Sequence, residues 1–168
     1  MSRITNNSSE VICKHGVTEC IGDILVLCAA DLPFPSSGAD AVQRTPTIRY
    51  LGFANCLIGS YERIPEREFV QACALEHGLD FDAINRCASS EQDDPAVGSK
   101  GGLALLRESA RHSEAVDVSL SCTIRLDEKI WCVRNGRVWK DCARHGHGSQ
   151  VHVLVDEVRR LWMEKNQH

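Results

Sequence analysis

The stretch Cys13-Lys14-His15-Gly16-Val17-Thr18-Glu19-Cys20-Ile21-Gly22-Asp23-Ile24-Leu25-Val26-Leu27-Cys28 carries three of the chain's nine cysteines. Its first half, Cys13 to Cys20, reads as a loop turning at Gly16. From Glu19 to Ala30, Ile21, Ile24, Leu25 and Cys28 recur at the i, i+3, i+4, i+7 spacing of one helix face. Ile24 to Ala30 is the most apolar run in the sequence, and Asp23 and Asp31 bracket it. It falls far short of the roughly 20 apolar residues of a membrane helix. The segment predicts a buried helix, tied at both ends by cysteine.

The remaining cysteines are dispersed, so all nine (Cys13, Cys20, Cys28, Cys56, Cys73, Cys87, Cys122, Cys132 and Cys142) are disulfide candidates. Such usage points to an oxidising compartment and a disulfide framework. Buried free thiols in a cytosolic chain are the alternative, because unpaired cysteine packs as a small apolar residue. Nine is odd. At least one cysteine is therefore free, pairs with another chain, or has lost its partner, and spacing alone does not give the connectivity. Asn6 and Asn7 head overlapping glycosylation acceptors, Asn6-Asn7-Ser8 and Asn7-Ser8-Ser9. Met1 to Ser9 contains no apolar h-region, so no signal peptide is expected there.

The bulk numbers are ordinary: 168 residues, 43% hydrophobic and 25% charged, suit a single domain with a real core. A net charge of −4 supplies no broad attraction to nucleic acid or an anionic membrane.

Downstream, Pro33, Pro35, Ser36, Ser37 and Gly38 open a surface loop that runs to about Pro46. A second helix is expected over Thr47 to Ser60. A third begins at Pro65, carries Phe69, Ala72, Cys73 and Leu75 or their neighbours on its apolar side, and closes at Gly78. Asp80 caps a fourth through Cys87, with Phe81, Ile84 and Cys87 on one face. A polar loop over 89–102 precedes a helix from Gly102 to His112. The pattern then changes to alternation: Val116, Val118, Leu120, Cys122 and Ile124 predict a half-buried strand. A turn at Leu126-Asp127-Glu128 leads to a strand from Lys129 to Arg134, and Asn135-Gly136 signals a hairpin to Arg137–Lys140. A final helix over Ser149 to Lys165 shows an apolar stripe of Val151, Leu154, Val155, Val158, Leu161 and Trp162. Trp131, Trp139 and Trp162 are expected to pack the meander against that helix.

The opening segment resembles the signature of the gamma-interferon-inducible lysosomal thiol reductase family, C-Q-H-G-x2-E-C-x2-N-x2-E-x-C. Cys13, His15, Gly16, Glu19, Cys20 and Cys28 match it, while Lys14, Asp23 and Val26 depart from it. Phe53-Ala54-Asn55-Cys56, the stretch from Cys73 to His77-Gly78-Leu79-Asp80, and Ile84 with Cys87-Ala88-Ser89 resemble the family's later cysteine segments. Ser121-Cys122-Thr123-Ile124-Arg125-Leu126 and Trp139-Lys140-Asp141-Cys142 resemble a fungal branch of it.

The resemblance implies an α/β (α+β) chain: a single thioredoxin-like domain over 1–168, with a helical, disulfide-bonded insertion at about 13–112. A closing β-hairpin and helix at about 116–165 is how such a domain ends. Its opening β-α-β is not legible before Cys13, where only Arg3-Ile4 could end a strand, so the chain is expected to be truncated. The implied activity is reduction of protein disulfides in a vacuole, a lysosome or the secretory pathway. Partners would be disulfide-containing proteins, with no nucleic acid, no membrane and no cofactor. The family's redox pair lies upstream of the signature and is expected before Met1. No two cysteines here are separated by fewer than six residues, whereas a thioredoxin-type nucleophile needs a resolving thiol close by. Ile130 stands where animal members carry a proline; a non-proline cis bond costs about 3 kcal/mol. The 168 residues alone are therefore expected to be inactive. The alternative is a non-catalytic, disulfide-stabilised secreted protein that binds a partner through its helical part.

Other clusters read as structure. Cys142, His145 and His147 do not have a standard zinc spacing, so no metal is expected. Glu91, Asp93 and Asp94 form a solvated acidic loop, and His15 is a loop histidine beside Cys13.

Overall fold

A computed structural model describes residues 3–4, 11–34, 43–90, 100–136, 138–143 and 151–167. The chain opens with β1 (Arg3–Ile4) paired antiparallel to β2 (Val11–Ile12), then α1 (Val17–Asp31). β3 (Pro33–Phe34) pairs with β4 (Gln43–Arg44) ahead of α2 (Thr47–Gly59), α3 (Arg67–Glu76), α4 (Phe81–Ser89) and α5 (Gly102–Ala115). β5 (Thr123–Leu126), β6 (Lys129–Asn135) and β7 (Val138–Lys140) form an antiparallel sheet in that order, and α6 (Val151–Asn166) follows. The chain is thus mixed α/β, with six α-helices among the described residues. No helix among them is long and apolar enough to cross a membrane.

Contacts group Ser2–His112 as one unit and Ser113–His168 as another. In the first, α1 contributes Ile24, Leu25, Cys28 and Ala29 to a core completed by Phe53 and Leu57 of α2 and Phe69, Val70, Cys73 and Ala74 of α3. Leu79, Phe81, Ile84, Leu105 and Leu106 close it. The expected α1 face is the buried one. Asp80 caps α4 as its spacing predicts, its side chain accepting from the Ala83 N–H at 3.0 Å.

Three expectations in this unit need correction. The Ile64–Pro65 peptide is cis and Glu66 is the N-cap, so α3 starts at Arg67 rather than at Pro65. On α3 the buried side chains are Phe69, Val70, Cys73 and Ala74, whereas Ala72 is exposed and Leu75 is 66% exposed. A face centred about one residue later brings Val70 and Ala74 inside. The expected loop after α1 carries the short β3–β4 ladder, where the Thr45 N–H donates to the Leu32 carbonyl at 2.9 Å.

In the second unit the alternating stretch from Val116 is not a strand until Thr123. α5 continues past His112 to Ala115 and unwinds through bonds from Asp117 N to Glu114 O and Val118 N to Ser113 O. Asp117 and Cys122 both take positive φ, which breaks an extended chain. The β5–β6 turn is where the sequence places it: Leu126 pairs with Lys129, and Asp127 and Glu128 both have positive φ, the geometry of a type I′ hairpin. A bulge at Ile124/Arg125 shifts the β5–β6 register around Trp131, and Trp131, Cys132 and Val133 are all buried. At the next hairpin Asn135 still belongs to β6, paired with Val138, so the turn lies one residue later than the Asn-Gly reading puts it. Gly136 takes a φ of 58°, a left-handed value that needs no side chain.

α6 presents a narrower face than its stripe suggests. Leu154 and Leu161 are partly buried and Glu157 is buried between them, while Val151, Val155, Val158 and Trp162 are exposed at 65, 48, 47 and 64%. Trp162 is therefore not a core residue, in contrast to Trp131. Trp139 is half-buried, with the Arg134 guanidinium 5.2 Å from its ring centroid.

Candidate functional site

The segment that carries the resemblance builds the start of α1. Gly16 is its N-cap at φ 91°, a backbone conformation that a side chain would oppose. Its N–H donates to the Cys13 carbonyl at 3.2 Å, and its carbonyl accepts from the Cys20 N–H at 3.4 Å. Glu19, three residues into the helix, reaches back to accept the His15 N–H at 2.7 Å, and its carboxylate lies 3.3 Å from His15 Nδ1. This is the reach of a capping-box glutamate, displaced one residue outward. Burial is the largest single influence on Glu19 and works against its charge, but the His15 N–H, the His15 side chain and nearby positive charge together hold the carboxyl below its ordinary value of 4.5. The tight loop brings Cys13 and Cys20 together as a disulfide. His15, Gly16 and Glu19 therefore shape the loop that closes this bond.

Two more disulfides staple the helices. Cys28 of α1 joins Cys87 of α4, and Cys56 of α2 joins Cys73 of α3, the second bridge nested inside the first. In the C-terminal unit Cys132 of β6 joins Cys142, which follows β7. Eight of the nine disulfide candidates are thus paired within the chain; the ninth, Cys122, is a free, exposed thiol and leaves that set. Its exclusion has a sequence signal. With a hairpin at Asn135-Gly136, the ladder brings the chain just before Cys142 opposite Cys132, which leaves Cys122 over.

Among the described residues no group of three His, Cys, Asp or Glu side chains is placed to hold a metal. Cys142 is committed to its disulfide, and His145 and His147 lie outside the described residues, as do Asn6, Asn7, Glu91, Asp93 and Asp94. The cysteines of the shortest bridge are seven residues apart, so none of the four disulfides joins a closely spaced redox pair. Cys13 is buried at 7% exposure, which shields one sulfur of that bridge from a thiolate of another molecule arriving from solvent.

Sequence reasoning missed two arginines that fix the helical unit. Arg49 donates to the Gly78 carbonyl at 2.8 Å and lies 5.0 Å from the Phe34 ring centroid. Arg67 stacks 4.8 Å over Phe81 and pairs with Asp82 at 3.6 Å. Neither has a local sequence signal, because each partner is distant along the chain. Four disulfides fit an oxidising, secretory-type environment. Compared with models of known families, with characterised proteins and with solved structures, the chain matches none.

Proposed function

We propose that the protein is a thiol–disulfide oxidoreductase of the gamma-interferon-inducible lysosomal thiol reductase type, with a thioredoxin-like fold. Its compartment is secretory, vacuolar or lysosomal, and its substrates are disulfide-containing proteins. The observation that carries the reading is the Cys28–Cys87 bond, which joins the last cysteine of the signature to the later segment resembling the same family. Cys56–Cys73 likewise unites two segments of that resemblance. The paired cysteines are staples of a scaffold, so these 168 residues do not by themselves turn over a substrate.

The test is reduction of insulin at acidic and neutral pH with dithiothreitol as electron donor. The 168-residue chain is expected to leave the donor's own rate unchanged, and acceleration would refute its scaffold role. Joined to an upstream segment that supplies a closely spaced cysteine pair, the chain is expected to accelerate the reaction; failure there sinks the reductase reading.

A second reading, a non-catalytic binding protein, is favoured by one face of α2. Ile48, Leu51 and Ile58 lie along it at helical spacing and are 79, 53 and 70% exposed. Retention of a partner that is lost in Ile58→Lys, without turnover in any form of the protein, would favour it.

A further inference from the structure

We propose that Cys122, Cys132 and Cys142 form an internal thiol–disulfide exchange centre, in which the Cys122 thiolate opens the Cys132–Cys142 bond. Cys132 lies in the central strand of one small sheet, and Cys122 and Cys142 lie just before its first strand and just after its last. The β5–β6 ladder pairs Thr123 with Val133 and Ile124 with Cys132. It runs one step further than the strand assignment, because the Arg134 N–H donates to the Cys122 carbonyl at 2.9 Å. Cys122 therefore stands opposite Arg134, two residues along β6 from Cys132. Diagonal positions of this kind lie about 7–8 Å apart, against Cα separations of up to about 6.8 Å in a disulfide. An approach of at most about 1 Å closes that gap.

The attacking party in that approach is Cys122. It lies in a turn at the open end of β5, with positive φ and its thiol exposed, outside the regular strand. Cys132, in contrast, is fully buried at the centre of the sheet and stays in place. Cys142 follows the end of β7 and is half-buried, so it is the sulfur that can leave toward water.

The step balances without any added oxidant. The Cys122 thiolate, having given its proton to water, donates an electron pair to the Cys132 sulfur. The Cys132–Cys142 bond breaks, its pair departs on Cys142, and that thiolate takes up a proton from water. One disulfide and one thiol are present before and after. What changes is the staple: β6 is tied first to the chain after β7, then to the start of β5. The centre thus moves an exposed thiol from one edge of the sheet to the other. The exchange accelerates as pH rises, because the attacking species is a thiolate and not a thiol.

The test is location of the free thiol. The chain is purified without reductant, held at pH 8, quenched in acid, labelled with a maleimide and mapped by mass spectrometry on the monomer fraction. Label is expected on Cys142 as well as Cys122 in the wild type, with the Cys142 share growing faster at pH 8 than at pH 6. In Cys142→Ser, refolded in a glutathione buffer, a Cys122–Cys132 bond and no labelled thiol are expected. Cys122→Ser is expected to keep Cys132–Cys142 and take no label. Label confined to Cys122 in the wild type, at both pH values and after prolonged incubation, overturns the proposal, whether or not the Cys142 variant folds.

Discussion

Cys28 is joined to Cys87 across 59 residues, and the bond ties the first helix of the core to the fourth. Both partners lie near the C-terminal ends of their helices, and α5 begins directly against Cys87. The bond closes the longest loop of the four, which sets its weight in stability.

If a disulfide acts mainly by restricting the unfolded chain, its effect grows with the logarithm of the loop it closes. For separations of 59, 17, 10 and 7 residues the expected losses are about 4, 3, 2.7 and 2.4 kcal/mol. Paired cysteine-to-alanine variants, unfolded in urea and followed by circular dichroism, should fall in that order. Loss of Cys13–Cys20 costing more than loss of Cys28–Cys87 would show that native-state geometry dominates instead.

Asp80→Ala removes the cap of α4 and is expected to cost about 1 kcal/mol. Asp80→Asn should retain most of that, since its side-chain oxygen can still accept from Ala83. Urea midpoints of the two variants check the difference; equal losses would mean that charge rather than capping is responsible.

Gly102 is buried where a Cβ would lie 2.5 Å from the Ile24 side chain and 3.0 Å from the Ala88 backbone. The backbone atom cannot rotate away, so Gly102→Ala is expected to destabilise by about 1–3 kcal/mol. Alanine's better helix propensity, worth about 1 kcal/mol, acts in the opposite direction and is the smaller effect. A variant that melts above the wild type would show that α5 has room to shift.

Glu19 gives a pH dependence of definite sign. Because its carboxyl titrates below 4.5 in the folded chain, its contribution is present above that pH and is lost as pH falls through the lower folded value. Glu19→Gln should therefore be less stable than wild type at pH 7, with the gap closing in acid. Thermal melts at pH 7, 4 and 3 test this; a gap that widens in acid would contradict the assignment.

The exposed and buried faces can be told apart by substitution. Val155→Ser and Val158→Ser on α6 are expected to change stability by no more than about 0.5 kcal/mol. Leu57→Ala, at a site 1% exposed, should cost about 2–5 kcal/mol. A large loss in either valine variant would mean that the face is covered in solution.

Much of the helical unit was legible because its signals are local. Ile24, Leu25 and Cys28 repeat at helical spacing, and Asp80 announces a helix three residues before the N–H it caps. The same local reading failed from Val116 to Cys122, where alternation is compatible with a strand but the bonds to Ser113 and Glu114 continue a helix end. It failed again on α6, where periodicity reveals a stripe of valines and leucines but not which part of it meets a neighbour.

By itself the sequence determined the number of cysteines and their odd parity, the cap at Asp80, the left-handed turns at Gly16 and Gly136, and the order of helices before sheet. These depend on bonding and backbone sterics within a few residues. Only the tertiary structure decided that Cys28 meets Cys87 and that Cys56 meets Cys73. Pairing over such spans follows from how helices and strands pack. Nine thiols are chemically alike until packing brings particular ones within bonding distance.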